Sequence, residues 1–258
     1  ANGAVWVNSA GNQAEDSWYG SYSDFDSDKW IEFQSGSDYQ SIAVNAGDKI
    51  NIQLRWDDQW GQATSDLDLY LYSPSLTVVD SSTDSQQGYS GEDPYEFLSF
   101  TAPTAGSYRV KVKHYSGPVL DWVQLNVFSN HNSFIPVSDR SVSSPSESAN
   151  PGLLSVGATA WNTPTIIETF SGRGPTIDGR IKPDIVGADR GDSISYGAFA
   201  GTSQASPHVA GLAALVKERW PVLPPIQIAE YLKNNALPSG SSSPNNDWGY
   251  GLAYLPGF

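Results

Sequence analysis

Cysteine is absent from the 258 residues, which excludes disulfides and thiol chemistry and leaves packing or bound metal ions as the sources of stability. Positive charge is scarce: 14 Lys and Arg stand against 28 Asp and Glu, for a formal net charge of -14. Such a surface repels nucleic-acid phosphates and anionic lipid headgroups at long range, so neither a nucleic acid nor a membrane is expected as a partner. No stretch approaches the ~18 apolar residues of a membrane helix. The start, Ala1-Asn2-Gly3-Ala4, lacks the basic and apolar segments of a leader, as expected of a mature or processed chain. What is present is a globular composition, 39% hydrophobic and 12% aromatic, enough for one large core or two ordinary ones.

Composition shifts twice along the chain. Residues 1–16 and 131–258 are rich in Ala, Gly, Val and Pro, whereas 17–130 are rich in Asp, Tyr, Trp and Gln. The middle segment reads as an inserted domain. Its apolar residues alternate as in half-buried strands: Ile50, Ile52, Leu54 and Trp56 against Asn51, Gln53 and Arg55, and Leu67, Leu69 and Leu71 against Asp66, Asp68 and Tyr70. Tyr108, Val110 and Val112, then Val123, Leu125 and Val127, repeat the pattern. With further strands expected at 30–34, 39–45, 77–81 and 95–100, about eight short strands imply an all-β, jelly-roll-like sandwich.

The flanks read as α/β. Val5-Trp6-Val7 and Leu153-Leu154-Ser155-Val156 have the apolar runs of buried parallel strands. From Ser203 to Trp220, the residues Val209, Leu212, Leu215 and Val216 keep helical spacing up to Pro221, and 226–232 offers a second helix.

The chemistry concentrates in Gly201-Thr202-Ser203-Gln204-Ala205-Ser206-Pro207-His208-Val209-Ala210-Gly211. A serine in the first turn of a helix gains from the helix dipole and from backbone N–H groups able to hold an oxyanion, although serine also caps helices with no catalytic role. His208 lies on the serine's own helix and is expected to be a packed core residue. A second run, Val7-Asn8-Ser9-Ala10-Gly11-Asn12, ends a strand with an asparagine whose amide N–H could stabilise a tetrahedral intermediate.

Together these runs resemble the nucleophile and oxyanion motifs of the subtilisin-like serine proteases (subtilases). Phe170-Ser171-Gly172-Arg173-Gly174-Pro175 through Gly187 and Asp247-Trp248-Gly249-Tyr250-Gly251-Leu252 are similar to that family's scaffolding loop and closing turn. The resemblance implies part of a subtilisin-like parallel-sheet catalytic domain, interrupted by the sandwich. It implies a serine endopeptidase with Ser203 as nucleophile and Asn12 as oxyanion donor. Ser9, Ala10, Gly11, Gly201 and Thr202 would border a polypeptide substrate, with no cofactor in the chemistry. Export from the cell is likewise implied by the family.

Two departures stand out. The family's small-Pro-Gly ending is replaced by Gly187-Ala188-Asp189, and neither the Asp-Ser/Thr-Gly nor the His-Gly-Thr motif of the other catalytic residues occurs. The three histidines, His114, His131 and His208, lack the Gly-Thr that should follow. A serine hydroxyl without a base is a poor nucleophile, so this sequence alone is expected to be inactive. Its catalytic Asp and His are expected on an N-terminal half that stays bound as a partner, with Asn2-Gly3 reading as an opened helix-to-strand turn. The competing expectation is a binding protein, in which a degenerate protease scaffold presents a carbohydrate- or protein-binding sandwich. In the insert, the alternating Asp24, Asp26 and Asp28 can aim three carboxylates at a structural calcium ion, though Lys29 stands where a calcium loop wants glycine. Asp66 and Asp68 read as a solvated strand face.

Overall fold

The structure is a computed structural model that describes residues 4–129, 139–195 and 197–257. In chain order the strands are β1 (Trp6–Ser9), β2 (Ser17–Ser21), β3 (Gln40–Val44), β4 (Lys49–Trp56), β5 (Asp66–Tyr72), β6 (Val78–Ser82), β7 (Tyr95–Thr101), β8 (Gly106–Ser116), β9 (Trp122–Phe128), β10 (Leu153–Ala160), β11 (Ile185–Asp189), β12 (Asp192–Ser193) and β13 (Gly197–Ala198). Two helices follow, α1 (Thr202–Arg219) and α2 (Pro225–Asn235). The chain divides into two compact units, Ala1–Glu15 with Ser138–Phe258, and Asp16–Val137. The expected opened turn at Asn2-Gly3 and one of the three histidines, His131, fall outside the described residues.

The unit Asp16–Val137 holds two four-stranded antiparallel sheets, ordered β2-β9-β4-β7 and β3-β8-β5-β6. Alternation explains its core. Ile50, Ile52, Leu54 and Trp56 of β4, Leu67, Leu69 and Leu71 of β5, and Val123, Leu125 and Val127 of β9 are fully buried and share one cluster with Tyr108, Val110 and Val112. Each such apolar side chain contributes about 1.5–3 kcal/mol on burial. The indole N–H of buried Trp56 donates to the Ser65 carbonyl at 3.1 Å, so its polar end is satisfied. Strand β2 has no counterpart among the strands expected from sequence. The stretch 30–34 supplies buried Ile31 and Phe33 to the core but only two isolated bridges, Trp30 to Lys113 and Gln34 to Ser37.

One expectation fails here. Asp66 and Asp68 are 4% and 5% exposed rather than solvated. They line a cavity of about 400 Å³ with Tyr70, Thr83, Ser85 and Tyr115, so the segment after β6 and the Tyr115 bulge of β8 cover the outer face of β5. Tyr70 donates its hydroxyl to Asp68 at 2.9 Å. Burial raises both carboxyls above the usual carboxylate range, and the Asp68 charge raises Asp66 further.

The other unit is built on a parallel sheet ordered β1-β10-β11. All eight residues of β10 are buried, as a central parallel strand demands. Strand β1 is not the buried strand its apolar run suggests: it pairs only with β10 among the described residues, and Trp6 is 62% exposed. Helix α1 packs on all three strands and on α2. Its approach to β11 requires Gly187, because a Cβ there would lie 2.6 Å from the Ala205 carbonyl oxygen. Only one side of α1 is buried, through Ala205, Val209, Ala213 and Val216; Ala210 and Gly211 face solvent, and Leu215 is 43% exposed. Leu252 closes the unit by bridging Val186 and Leu237.

Candidate active site

Parallel strands deliver their C-terminal ends to one edge of a sheet, and the two sequence motifs meet there. Asn12 follows the end of β1, and Ser203 is the second residue of α1. The helix start is a turn that glycine makes possible, since Gly201 has φ 151°. Ser203 is exposed, whereas Thr202 beside it is buried.

Thr202 orients the asparagine. Its backbone N–H and its hydroxyl both donate to Asn12 Oδ1, at 3.0 and 2.8 Å, and its hydroxyl oxygen accepts the Gly11 N–H at 3.3 Å. With Oδ1 held this way, Nδ2 is the free end of the amide, and among the described residues it has no hydrogen-bond partner. The Ser203 N–H is equally free, because the first N–H groups of a helix have no intrahelical acceptor. Both donors border one vacant spot: a Cβ built on Gly201 would lie 3.3 Å from Asn12 Nδ2 and 3.7 Å from the Ser203 nitrogen. Two N–H donors converging on a space that only glycine leaves open can hold a developing oxyanion next to a serine hydroxyl.

The turn is clamped from below. Asp189, at the end of β11 and fully buried, accepts the Gly201 N–H at 2.9 Å. Gln204 accepts the Gly191 N–H at 3.0 Å and donates to the Gly191 carbonyl. Sequence reasoning marked Asp189 only as a departure from the family pattern and left Gln204 without a role; the departure was the available signal.

Of the expected substrate-bordering residues, Ser9, Ala10 and Gly11 commit their carbonyls to the protein itself. These accept from the Ser146 hydroxyl (2.8 Å), the Ser143 N–H (2.9 Å) and the Gly172 N–H (2.9 Å). Ala10 and Thr202 are buried, and the Gly201 carbonyl accepts from Gln204. These residues therefore shape the wall of the site through backbone position.

His208 is exposed rather than packed in a core, with Nδ1 2.7 Å from the Ala188 carbonyl oxygen. Five residues along a helix put it about 7.5 Å up the axis and ~140° around from Ser203. It is no base for that hydroxyl. Pro207 acts locally: it has no N–H to give the Ser203 carbonyl one turn back.

In the other unit, carboxylate oxygens of Asp24, Asp26 and Asp28 lie within 4.8 Å of one another. Asp24 accepts the N–H groups of Asp28 and Lys29, and Asp28 accepts that of Trp30. Lys29 adopts the positive φ of 72° that such a loop wants of glycine, and its ammonium turns away to the Tyr115 carbonyl at 3.2 Å. The donor set is all oxygen and fits a hard cation.

No helix among the described residues is long and apolar enough to cross a membrane. The sequence matches the Subtilase family over residues 1–251. It is 38% identical over 112 residues to Subtilisin BL of Lederbergia lenta, covering 43% of this chain and 39% of that protein. With Serine protease AprX of Bacillus subtilis it shares 33% over 125 residues, covering 38% of this chain and 28% of that protein. Among solved structures, the CspB protease of Clostridium perfringens has a similar fold, with a TM-score of 0.63 at 20% identity over 95% of this chain and 57% of that one. The chain thus spans well under two thirds of each of these proteins.

Proposed function

The chain belongs to the subtilase family, and from that premise we propose that it is the nucleophile-bearing part of a serine endopeptidase, cleaving polypeptides through an acyl-enzyme on Ser203. The observation that carries this reading is the pair of free donors, Asn12 Nδ2 and the Ser203 N–H, around the space left by Gly201. A scaffold kept only for binding has no use for a clamped amide with its donor end unspent. Ser203 Oγ attacks the scissile carbonyl, and its proton must pass to a base. The carbonyl oxygen gains charge between the two donors, and collapse of the intermediate breaks the scissile C–N bond: the amine departs with the proton the base took from Ser203, and the acyl group stays on Ser203.

The base and its orienting carboxylate are absent from this sequence, so a partner carrying the family's Asp and His is part of the proposal, and the chain alone is expected to be inactive. The place for that partner is the edge of β1 that is unpaired among the described residues, where an apolar cavity of about 850 Å³ is lined by Val5, Trp6, Val7, Leu153 and Ala210. For the unit Asp16–Val137, strand orders β2-β9-β4-β7 and β3-β8-β5-β6 support the jelly-roll reading. An extracellular location accords with the family. Asp24, Asp26 and Asp28 are assigned a structural calcium ion; a chelator should lower the melting temperature of the wild type and leave Asp26→Asn unchanged, and equal melting of the wild type with and without chelator would contradict the assignment.

The decisive experiment treats the assembled protein with a fluorophosphonate probe and maps the adduct by mass spectrometry. The adduct should lie on Ser203 and vanish in Ser203→Ala. Labelling elsewhere, or none when both halves are present, overturns the reading.

A further inference from the structure

Resting on the role of Ser203 above, we propose that Asp189 is the positioning residue of the nucleophile turn, holding the Gly201 N–H while sharing a single proton with Glu168. The geometry is closed on every side. Asp189 is 0% exposed, and its Oδ2 accepts the Gly201 N–H at 2.9 Å. Its Oδ1 is buried with no donor aimed at it, yet its side chain is hydrogen-bonded to that of Glu168. Two carboxyl groups can make that bond only if one is protonated.

Which one holds the proton follows from the charges around them. Glu168 is engaged by Arg190 through both oxygens, Nη2 lying 2.9 Å from Oε2 and Nε bonding to Oε1. The arginine holds the Glu168 carboxyl below the usual range. Burial pushes Asp189 up, and the Glu168 charge pushes it further. Asp189 is therefore the acid: its Oδ1–H donates to Glu168, its Oδ2 accepts from Gly201, and no oxygen is left unsatisfied. Besides Glu168 and Arg190, helix α1, which packs on β11, brings His208, whose ring is bonded to the neighbouring Ala188 carbonyl.

The consequence reaches the chemistry through one residue. Gly201 is the N-cap of α1, and it leaves the space that Asn12 Nδ2 and the Ser203 N–H border. A carboxyl that fixes the Gly201 N–H fixes that space. Raising the pH through the native Asp189 value removes the shared proton, and two adjacent carboxylates repel. Because the native pKa of Asp189 is raised, the stability it contributes is full below the ordinary aspartate value of ~4 and is lost as pH rises through the native one. Asparagine at this position keeps both hydrogen bonds and cannot lose a proton.

The test follows amide exchange at Gly201 by NMR in the full chain, comparing wild type, Asp189→Asn and Asp189→Ala at about pH 4, the ordinary aspartate value, and at pH 9. Relative to the intrinsic rate at each pH, wild type and Asp189→Asn should be equally protected at the lower pH, with Asp189→Ala exchanging at least about tenfold faster. At pH 9 the wild type should lose protection while Asp189→Asn keeps it. Equal protection in wild type and Asp189→Ala, or equal loss in Asp189→Asn and Asp189→Ala, would overturn the proposal. In the assembled protease the rate of Ser203 labelling should fall on the order of 10²-fold in Asp189→Ala, as for a misplaced reacting group, and return in Asp189→Asn. Absence of labelling in all three proteins would sink the protease reading, while Gly201 exchange decides the clamp separately.

Discussion

The two units solve burial in opposite ways. In Asp16–Val137 each sheet turns an alternating apolar face inward, and Ile50, Ile52, Leu54 and Trp56 reach zero exposure with residues from the same stretch of chain. In the other unit a three-stranded sheet buries all of β10 and all of β11 but Ala188, yet leaves Trp6 on its edge strand 62% exposed and Leu215 of α1 43% exposed. The first unit is self-sufficient. The second carries a finished oxyanion wall on a sheet whose β1 edge is unpaired among the described residues. Chemistry and stability are therefore separable in this chain, and substitutions should sort accordingly.

The largest effect is expected in the self-sufficient unit. Trp56→Ala removes a fully buried indole and its bond to Ser65 and should cost about 3–5 kcal/mol, read as a lowered melting transition of that unit. Ser203 labelling in the assembled protein should be unchanged, and a parallel loss of labelling would mean the two cores are not independent. Asn12→Ala should do the reverse, slowing peptide hydrolysis roughly 10²- to 10³-fold, a magnitude taken from a subtilisin rather than derived from this site, with no shift in the melting of Asp16–Val137.

The smallest effect is a pH dependence confined to the self-sufficient unit. Glu96 is 1% exposed, and burial, with Asp84 nearby, pushes its carboxyl up to about 7. A raised native pKa means that its contribution is full below ~4.5 and is lost as pH rises to about 7. The loss amounts to roughly 2–3 kcal/mol. Denaturant titrations across this window should show it in the wild type, and Glu96→Gln should remove the Glu96 share. An identical pH slope in the variant would mean that Glu96 is charged in the folded protein.

How much of this was legible in the sequence depends on the distance over which each feature is decided. Alternation over seven or eight residues announces β4, β5, β8 and β9, because each strand's face is set by its own side chains. Strand β2 escaped notice because Ser17–Ser21 has no such alternation and takes its place by pairing with β9. The burial of Asp66 and Asp68 is imposed by residues 83–85 and Tyr115, which no local pattern reveals. The motifs around Asn12 and Ser203 were readable as a family resemblance. Their coupling was not, since Thr202 and Asn12 are 190 positions apart and meet only once β1, β10 and β11 are laid parallel. Asp189 announced itself as a break in a familiar pattern, and only the fold gives it Gly201 and Glu168 as partners.

The central claim is that Asn12 and the Ser203 N–H form one oxyanion site, and a crystal structure of the assembled protease with a peptidyl boronate tests it most directly. The account predicts a bond from Ser203 Oγ to boron, with one boronate oxygen about 2.7–3.1 Å from both Asn12 Nδ2 and the Ser203 nitrogen. An adduct whose oxygen turns away from Asn12, or no adduct on Ser203 when both halves are present, would contradict it.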